Sequence, residues 1–135
     1  MNQAPSFDDA LRVIYREALY VDQCDWDQWL ALYTEDCTFW VPSWRDERTL
    51  VEDPQCEISF LYAGSRIGLE ERVRRIRGGK SITTLPMPRT VHVVANPVQL
   101  PASAPERTRI ATAWTNLLYD PRTHAQLHLF GRYVY

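Results

Sequence analysis

The chain reads as an α+β domain in which helices come first and a curved, mostly antiparallel sheet packs against them as a cone. Three observations carry that reading. Apolar residues Phe7, Leu11, Ile14, Ala18 and Val21 recur at steps of four and three, one stripe of an amphipathic helix. A second such stripe, Leu69, Val73 and Ile76, follows near the middle of the chain. The last third instead alternates with period two and is broken by proline turns, the mark of long strands. Helices grouped ahead of antiparallel strands define the α+β class.

The elements follow in order. Ser6 is placed to cap a helix over 7–22, whose first turn carries Asp8 and Asp9, where the helix dipole favours negative charge. Asp25 with Gln28 is a capping-box variant for a second helix over 26–33. Cys37 to Val41 is rich in strand formers and ends at Pro42. Residues 43–55 are polar without a period and read as an ordered loop, functional or interfacial given its length. Glu57 to Tyr62 is a short second strand. Ser65 starts a helix over 66–77, with Glu70–Arg74 and Glu71–Arg75 spaced for ion pairs and Gly78-Gly79 as its stop. Thr83 to Pro88 is a connector. Thr90 to Leu100 is a strand with a bulge or bend at Pro97, Pro101 to Pro105 a turn, and Arg107 to Tyr119 a long strand. Asp120 to Thr123 has proline where a type I turn wants it, and His124 to Tyr135 is the return strand.

Composition narrows the class. With 135 residues the chain is expected to form one domain, 1–135, and 45% hydrophobic residues suffice for a core without staples. A net charge of −2 argues against nonspecific nucleic-acid binding. No apolar run approaches the length of a membrane span, and the basic-then-apolar pattern of a secretory signal is missing, so a cytoplasmic protein that engages no membrane is expected. Cys24, Cys37 and Cys56 are odd in number, widely spaced and outside any C-x-x-C or C-x-H pattern, which speaks for free thiols and against zinc or an iron–sulfur cluster held by this chain alone. His124 and His128, if both lie on the return strand, share a face but stand roughly 13 Å apart, too far to share a metal. The usual self-contained catalytic motifs are missing.

Several residues invite a role. Six aromatics crowd residues 26–44 (Trp26, Trp29, Tyr33, Phe39, Trp40 and Trp44) and serve either to weld helix to sheet or to wall a flat ligand. Trp40, Trp44 and Arg45, at the mouth of the long loop, are candidates for a protein interface, as are Arg66 and Arg89, because aromatics and arginine are enriched there. The arginines of helix 66–77 otherwise form a solvated face. His92 could act as an acid or base inside the cone with Asp36 or Tyr33 beside it, or be a hydrogen-bonded structural histidine.

Three stretches resemble one family. Residues 28–42, QWLALYTEDCTFWVP, are similar to its W-x-x-L-[FY]-x-x-D-x-x-[YF]-W-x-P segment; residues 52–77, EDPQCEISFLYAGSRIGLEERVRRIR, carry its acidic-Pro pair, EIS strand and arginine-rich helix; RTVHVVAN at 89–96 matches R-T-x-H-x-[VI]-x-N. The family is the small (beta) subunit of bacterial aromatic-ring-hydroxylating dioxygenases, the Rieske non-haem iron oxygenases, and EDPQ-x-EIS looks like the benzoate and anthranilate branch. The resemblance implies a nuclear-transport-factor-2-like (NTF2-like) cone and a non-catalytic structural role with no cofactor in this chain. It implies a partner large (alpha) subunit holding the Rieske [2Fe–2S] cluster and the mononuclear Fe(II), within a hexamer of three large and three small subunits. There the small subunit fixes its neighbours so that one cluster serves the next iron. Family members continue past the equivalent of Tyr135 through a G-x-W-x-I strand, and a sheet edge is expected to lie open where that strand is absent. The alternatives are a free-standing cone-fold isomerase or dehydratase using His92, Asp36 and Tyr33, and a module that binds a small apolar ligand.

Overall fold

In the computed structural model residues 3–79 and 88–135 are described. The elements run α1 (Phe7–Asp22), α2 (Trp26–Ala31), β1 (Phe39–Pro42), β2 (Ser59–Ala63), α3 (Arg66–Arg77), β3 (Arg89–Leu100), β4 (Arg109–Tyr119) and β5 (Gln126–Val134). The chain falls into two compact units: one holds the described residues of Met1–Trp29 and Thr83–Tyr135, the other those of Leu30–Ile82. Apart from Pro88, the connector expected at Thr83 to Pro88 lies outside the described residues.

The first unit is α1 against a three-stranded antiparallel sheet of order β3-β4-β5. Ser6 caps α1 as its sequence implies, its Oγ accepting from the Asp9 amide at 3.1 Å. Ile14 and Ala18 of the stripe are buried. Asp25 Oδ1 accepts from the Gln28 amide, the capping-box variant at work, but α2 stops at Ala31 because the chain tightens into a turn in which Tyr33 N–H donates to Leu30 O. The sheet is pinned by register: His92 stands opposite Asn116, Val94 opposite Trp114, and Asn116 in turn opposite Leu129. The register shifts between Ala95 and Val98, where Asn96 takes a positive φ and Pro97 can donate no ladder bond. The turn after β4 is held by Asp120, whose Oδ1 accepts from the Arg122 and Thr123 amides. His124 sits in that turn with φ 60, so it does not share a strand face with His128 as the sequence suggested.

Gly131 is a close-approach position. A Cβ there would meet Trp114 Nε1 at 2.9 Å, because the indole crosses β5 at this point and stacks on Tyr133 with centroids 5.0 Å apart. Gly131→Ala is expected to push the indole off Tyr133 and to cost about 1–3 kcal/mol, the usual penalty of overpacking, read as a lower urea midpoint.

The second unit pairs β1 with β2 and lays α3 on them. β1 begins at Phe39 rather than Cys37 and takes in Pro42, at the register irregularity where a missing N–H is tolerated. Along β2 the residues alternate: Ser59, Leu61 and Ala63 are the more covered, Phe60 and Tyr62 the exposed ones. Leu69 and Val73 of α3 are buried, and Gly68 lies so close to β2 that a Cβ would meet the Ala63 Cβ at 2.9 Å. Ser65 occupies the cap position with extended backbone, yet its side chain makes no capping bond. Glu70 turns back to Arg66 Nε at 3.1 Å instead of forward to Arg74, and no ion pair joins Glu71 to Arg75 among the described residues.

Candidate functional site

The long loop after β1 is ordered, as its length suggested, and its acidic residues order it. Asp46 Oδ1 accepts from the amides of Arg48 and Thr49, each at 2.8 Å, and Val51 N–H closes on Ser43 O. Glu57 closes the far end: one carboxylate oxygen takes the amides of Glu52 and Asp53 at 3.0 and 3.1 Å, the other takes Arg45 Nε at 2.8 Å. Those amides, first that of Asp53, then that of Glu52 and then Arg45, hold the Glu57 carboxyl below the usual carboxylate range. Asp46 and Asp53 are lowered in the same way, by the amides of Arg48 and Gln55 first. A lowered folded-state pKa means a contribution present above the unfolded value and lost as pH falls through the folded one. Amide protection factors at Glu52 and Asp53 are therefore expected to hold near neutrality and to collapse at pH values below the ordinary carboxylate range. Glu57→Gln is expected to lower them throughout, measured by hydrogen exchange corrected for intrinsic rates.

This loop presents rather than buries its apolar residues. Trp44 bridges to Leu50 and is 64% exposed, whereas Val51 turns inward. Ile58, just before β2, and Phe60 on it are 84% and 83% exposed, and Tyr62 is exposed too. Three large apolar side chains at a spacing of two form a row, and an exposed row of that kind marks a surface meant to be covered. In the other unit the outward face of the sheet repeats the theme with Val91, Val93, Val98, Leu117 and Phe130.

The residues singled out from sequence are placed as follows. Trp40 is half-buried and donates through Nε1 to Ser59 Oγ at 2.7 Å, so it welds β1 to β2. Arg45 is engaged by Glu57. Arg66 is held by three groups, Tyr33 O at 3.2 Å, Glu70, and Glu35 at 3.9 Å, which ties the start of α3 to the segment before β1. Arg89 lies over the Tyr119 ring, 5.8 Å from its centre. Tyr33 packs near Phe39, their ring centres 6.1 Å apart, while Trp26 and Trp29 meet edge to face at 5.9 Å and Trp29 Nε1 donates to Glu17.

His92 has a partner that sequence reasoning did not name. Its Nδ1 lies 2.6 Å from Asp22 Oδ1, its backbone N–H donates to Asp22 Oδ2 at 2.9 Å, and Thr90 Oγ1 donates to Asp22 Oδ1 at 2.9 Å. Asp36 and Tyr33 belong to the other unit. Seventy residues separate Asp22 from His92, and no local pattern links them. Ile58 and Phe60 did carry a signal: with Tyr62 they recur at a spacing of two, one large apolar face of a strand.

No group of three or more His, Cys, Asp or Glu among the described residues could hold a metal ion, and no described helix is long and apolar enough to cross a membrane. The features that stand out are rows of apolar side chains set on framed, hydrogen-bonded supports, the design of a protein that works against another protein. Comparison with known sequences places it further. The chain belongs to the family of ring-hydroxylating beta subunits, whose match spans residues 16–135. It is similar to the toluate 1,2-dioxygenase subunit beta of Pseudomonas putida, 38% identical over 126 residues, covering 93% of this chain and 76% of that one. It is similar to the 2-halobenzoate 1,2-dioxygenase small subunit of Burkholderia cepacia, 37% identical over 130 residues, or 96% and 77% of the two chains. Among solved structures, the beta subunit of the benzoate 1,2-dioxygenase of Burkholderia mallei superposes with a TM-score of 0.78 at 32% identity, covering all of this chain and 80% of that one. The NTF2-like α+β fold and the family expected from the three sequence stretches are thus both borne out.

Proposed function

We propose that this chain, acting as one domain over 1–135, is the non-catalytic small subunit of a multicomponent dioxygenase that dihydroxylates carboxylated aromatic compounds. Its partner is a large subunit that carries the Rieske [2Fe–2S] cluster and the mononuclear Fe(II), in a hexamer of three large and three small subunits in the cytoplasm. The kinship with small subunits of toluate, 2-halobenzoate and benzoate dioxygenases supports the carboxylated substrate class. The unpaired Cys24, Cys37 and Cys56 suit a reducing compartment. The observation that carries the reading is the outward row Ile58, Phe60 and Tyr62, with exposed Trp44 on the loop that Glu57 and Asp46 stiffen. A stiff frame lets the subunit dock without first losing loop entropy, so its contribution to the reaction is to hold large subunits in a fixed relation.

The test is co-expression with the large subunit of a benzoate-type dioxygenase. Expected are a stable complex, turnover that requires both chains, and iron that follows the large subunit. Stoichiometric iron or unaided substrate conversion by the small chain would overturn the reading. Within that experiment Phe60→Asp is expected to leave the urea midpoint of the isolated chain within about 0.5 kcal/mol, as for other exposed positions. The same change should weaken the complex by about 2 kcal/mol or more, the scale of an interface hot spot, as measured by calorimetry or sedimentation. A complex unchanged by Phe60→Asp would remove β2 from the interface.

A further inference from the structure

We infer that a groove on the outward face of the three-stranded sheet binds a flat apolar ring bearing one carboxylate, which Arg89 holds. A cavity of about 400 Å³ lies there, lined by residues of β3, β4 and β5. No residue of α1 lines it, so it opens on the side of the sheet away from the helix. Strand register sorts its side chains into two rows that cross the strands, Arg89 with Tyr119 and Gln126, and Val91 with Leu117 and His128. Opposed residues share a face. Between the rows runs that of Thr90, whose side chain points the other way, to Asp22 on α1. Residues two apart along a strand stand roughly 7 Å apart, so the groove has that width. This is the sum of two ordinary carbon–carbon contacts of about 3.5 Å, one on either side of a planar ring.

The walls say what the ring carries. Val91 and Leu117 supply an aliphatic side and Tyr119 an aromatic one, while the guanidinium of Arg89 lies 5.8 Å from the centre of the Tyr119 ring, at the β3 end of the groove. Among the described residues no carboxylate pairs with Arg89, and no Asp or Glu lines the cavity. Asp120, next to Tyr119, is occupied by the amides of Arg122 and Thr123 and stands 4.0 Å from the Arg122 guanidinium. A guanidinium presents a planar fork of donors that a carboxylate meets with both oxygens. The site is open to solvent: Arg89 and His128 are exposed, and so are Val91 and Leu117. A neutral ring would cover the valine and leucine but leave the cation without a counter-charge. A small anion would do the reverse, and a ring with a carboxylate does both. Every residue of this site lies within one unit, and the inference does not rest on a large-subunit partner.

The experiment is titration of the full chain with benzoate, the simplest such ring, read by calorimetry and by nuclear magnetic resonance. Saturable binding is expected, with the His128 ring and the Val91 and Leu117 amides shifting along one curve. Benzamide, which lacks the charge, acetate, which lacks the ring, and cyclohexanecarboxylate, whose ring is puckered, should each bind at least tenfold more weakly. Arg89→Gln should weaken benzoate at least tenfold without changing the far-ultraviolet circular dichroism, while Arg122→Gln in the neighbouring turn should leave it within twofold. No saturation with benzoate overturns the inference. So does equal affinity for benzoate and benzamide, or for benzoate and acetate, comparisons that need no variant. Binding indifferent to Arg89→Gln in a folded protein overturns it as well. The large-subunit experiment fails or succeeds separately, since this one contains no second polypeptide.

Discussion

Leu69→Ala is expected to lower the stability of the chain by about 2–5 kcal/mol, the range for truncating a fully buried leucine. Leu69 is 1% exposed, in the part of α3 where Gly68 already brings the helix against Ala63 of β2. The close approach leaves little freedom for α3 to sink into the space that the lost side-chain carbons would open, so the upper half of the range applies. Urea denaturation followed by fluorescence reads the shift. Ile67→Ala, two residues away but 65% exposed, serves as the comparison and should fall within about 0.5 kcal/mol of the parent. Equal midpoints for the two variants would show that Leu69 is not a core residue.

Asp22→Ala is the second large effect, at about 2–4 kcal/mol, because one carboxylate accepts three hydrogen bonds and bonds to charged acceptors are the stronger kind. Its loss strands a backbone N–H, a threonine hydroxyl and an imidazole N–H at once, on the seam between α1 and β3. Asp22→Asn keeps the acceptor oxygen and restores only part of the set, since its amide nitrogen cannot accept. The order of stability is therefore expected to be Asp22, then Asn, then Ala, measured by urea midpoint. Loss of His92 alone removes one bond of the three and should cost less than Asp22→Ala; the reverse order would mean that the histidine, not the carboxylate, organises the seam.

Much of this was readable along the chain. The stripe in α1 and its Ser6 cap, the stripe in α3 with its glycine stop, the bend at Pro97 and the Asp120 turn all rest on contacts within a few residues, where spacing and residue type decide the outcome. The errors of detail share a cause. α2 ends two residues early and β1 starts two residues late because the ends of short elements depend on what they pair with. Glu70 chose Arg66 over Arg74 because Arg66 was already held in place by Tyr33 O.

The family, the α+β class and the order of elements follow from residue pattern alone, since periodicity and three motifs in register are properties of the linear chain. Which groups meet across long separations was settled only by folding: Asp22 with His92, His92 with Asn116, Trp114 with Gly131, and Glu57 with Arg45. Strand register and helix placement choose those partners, and a slip of one residue in a strand would turn its side chains to the opposite face.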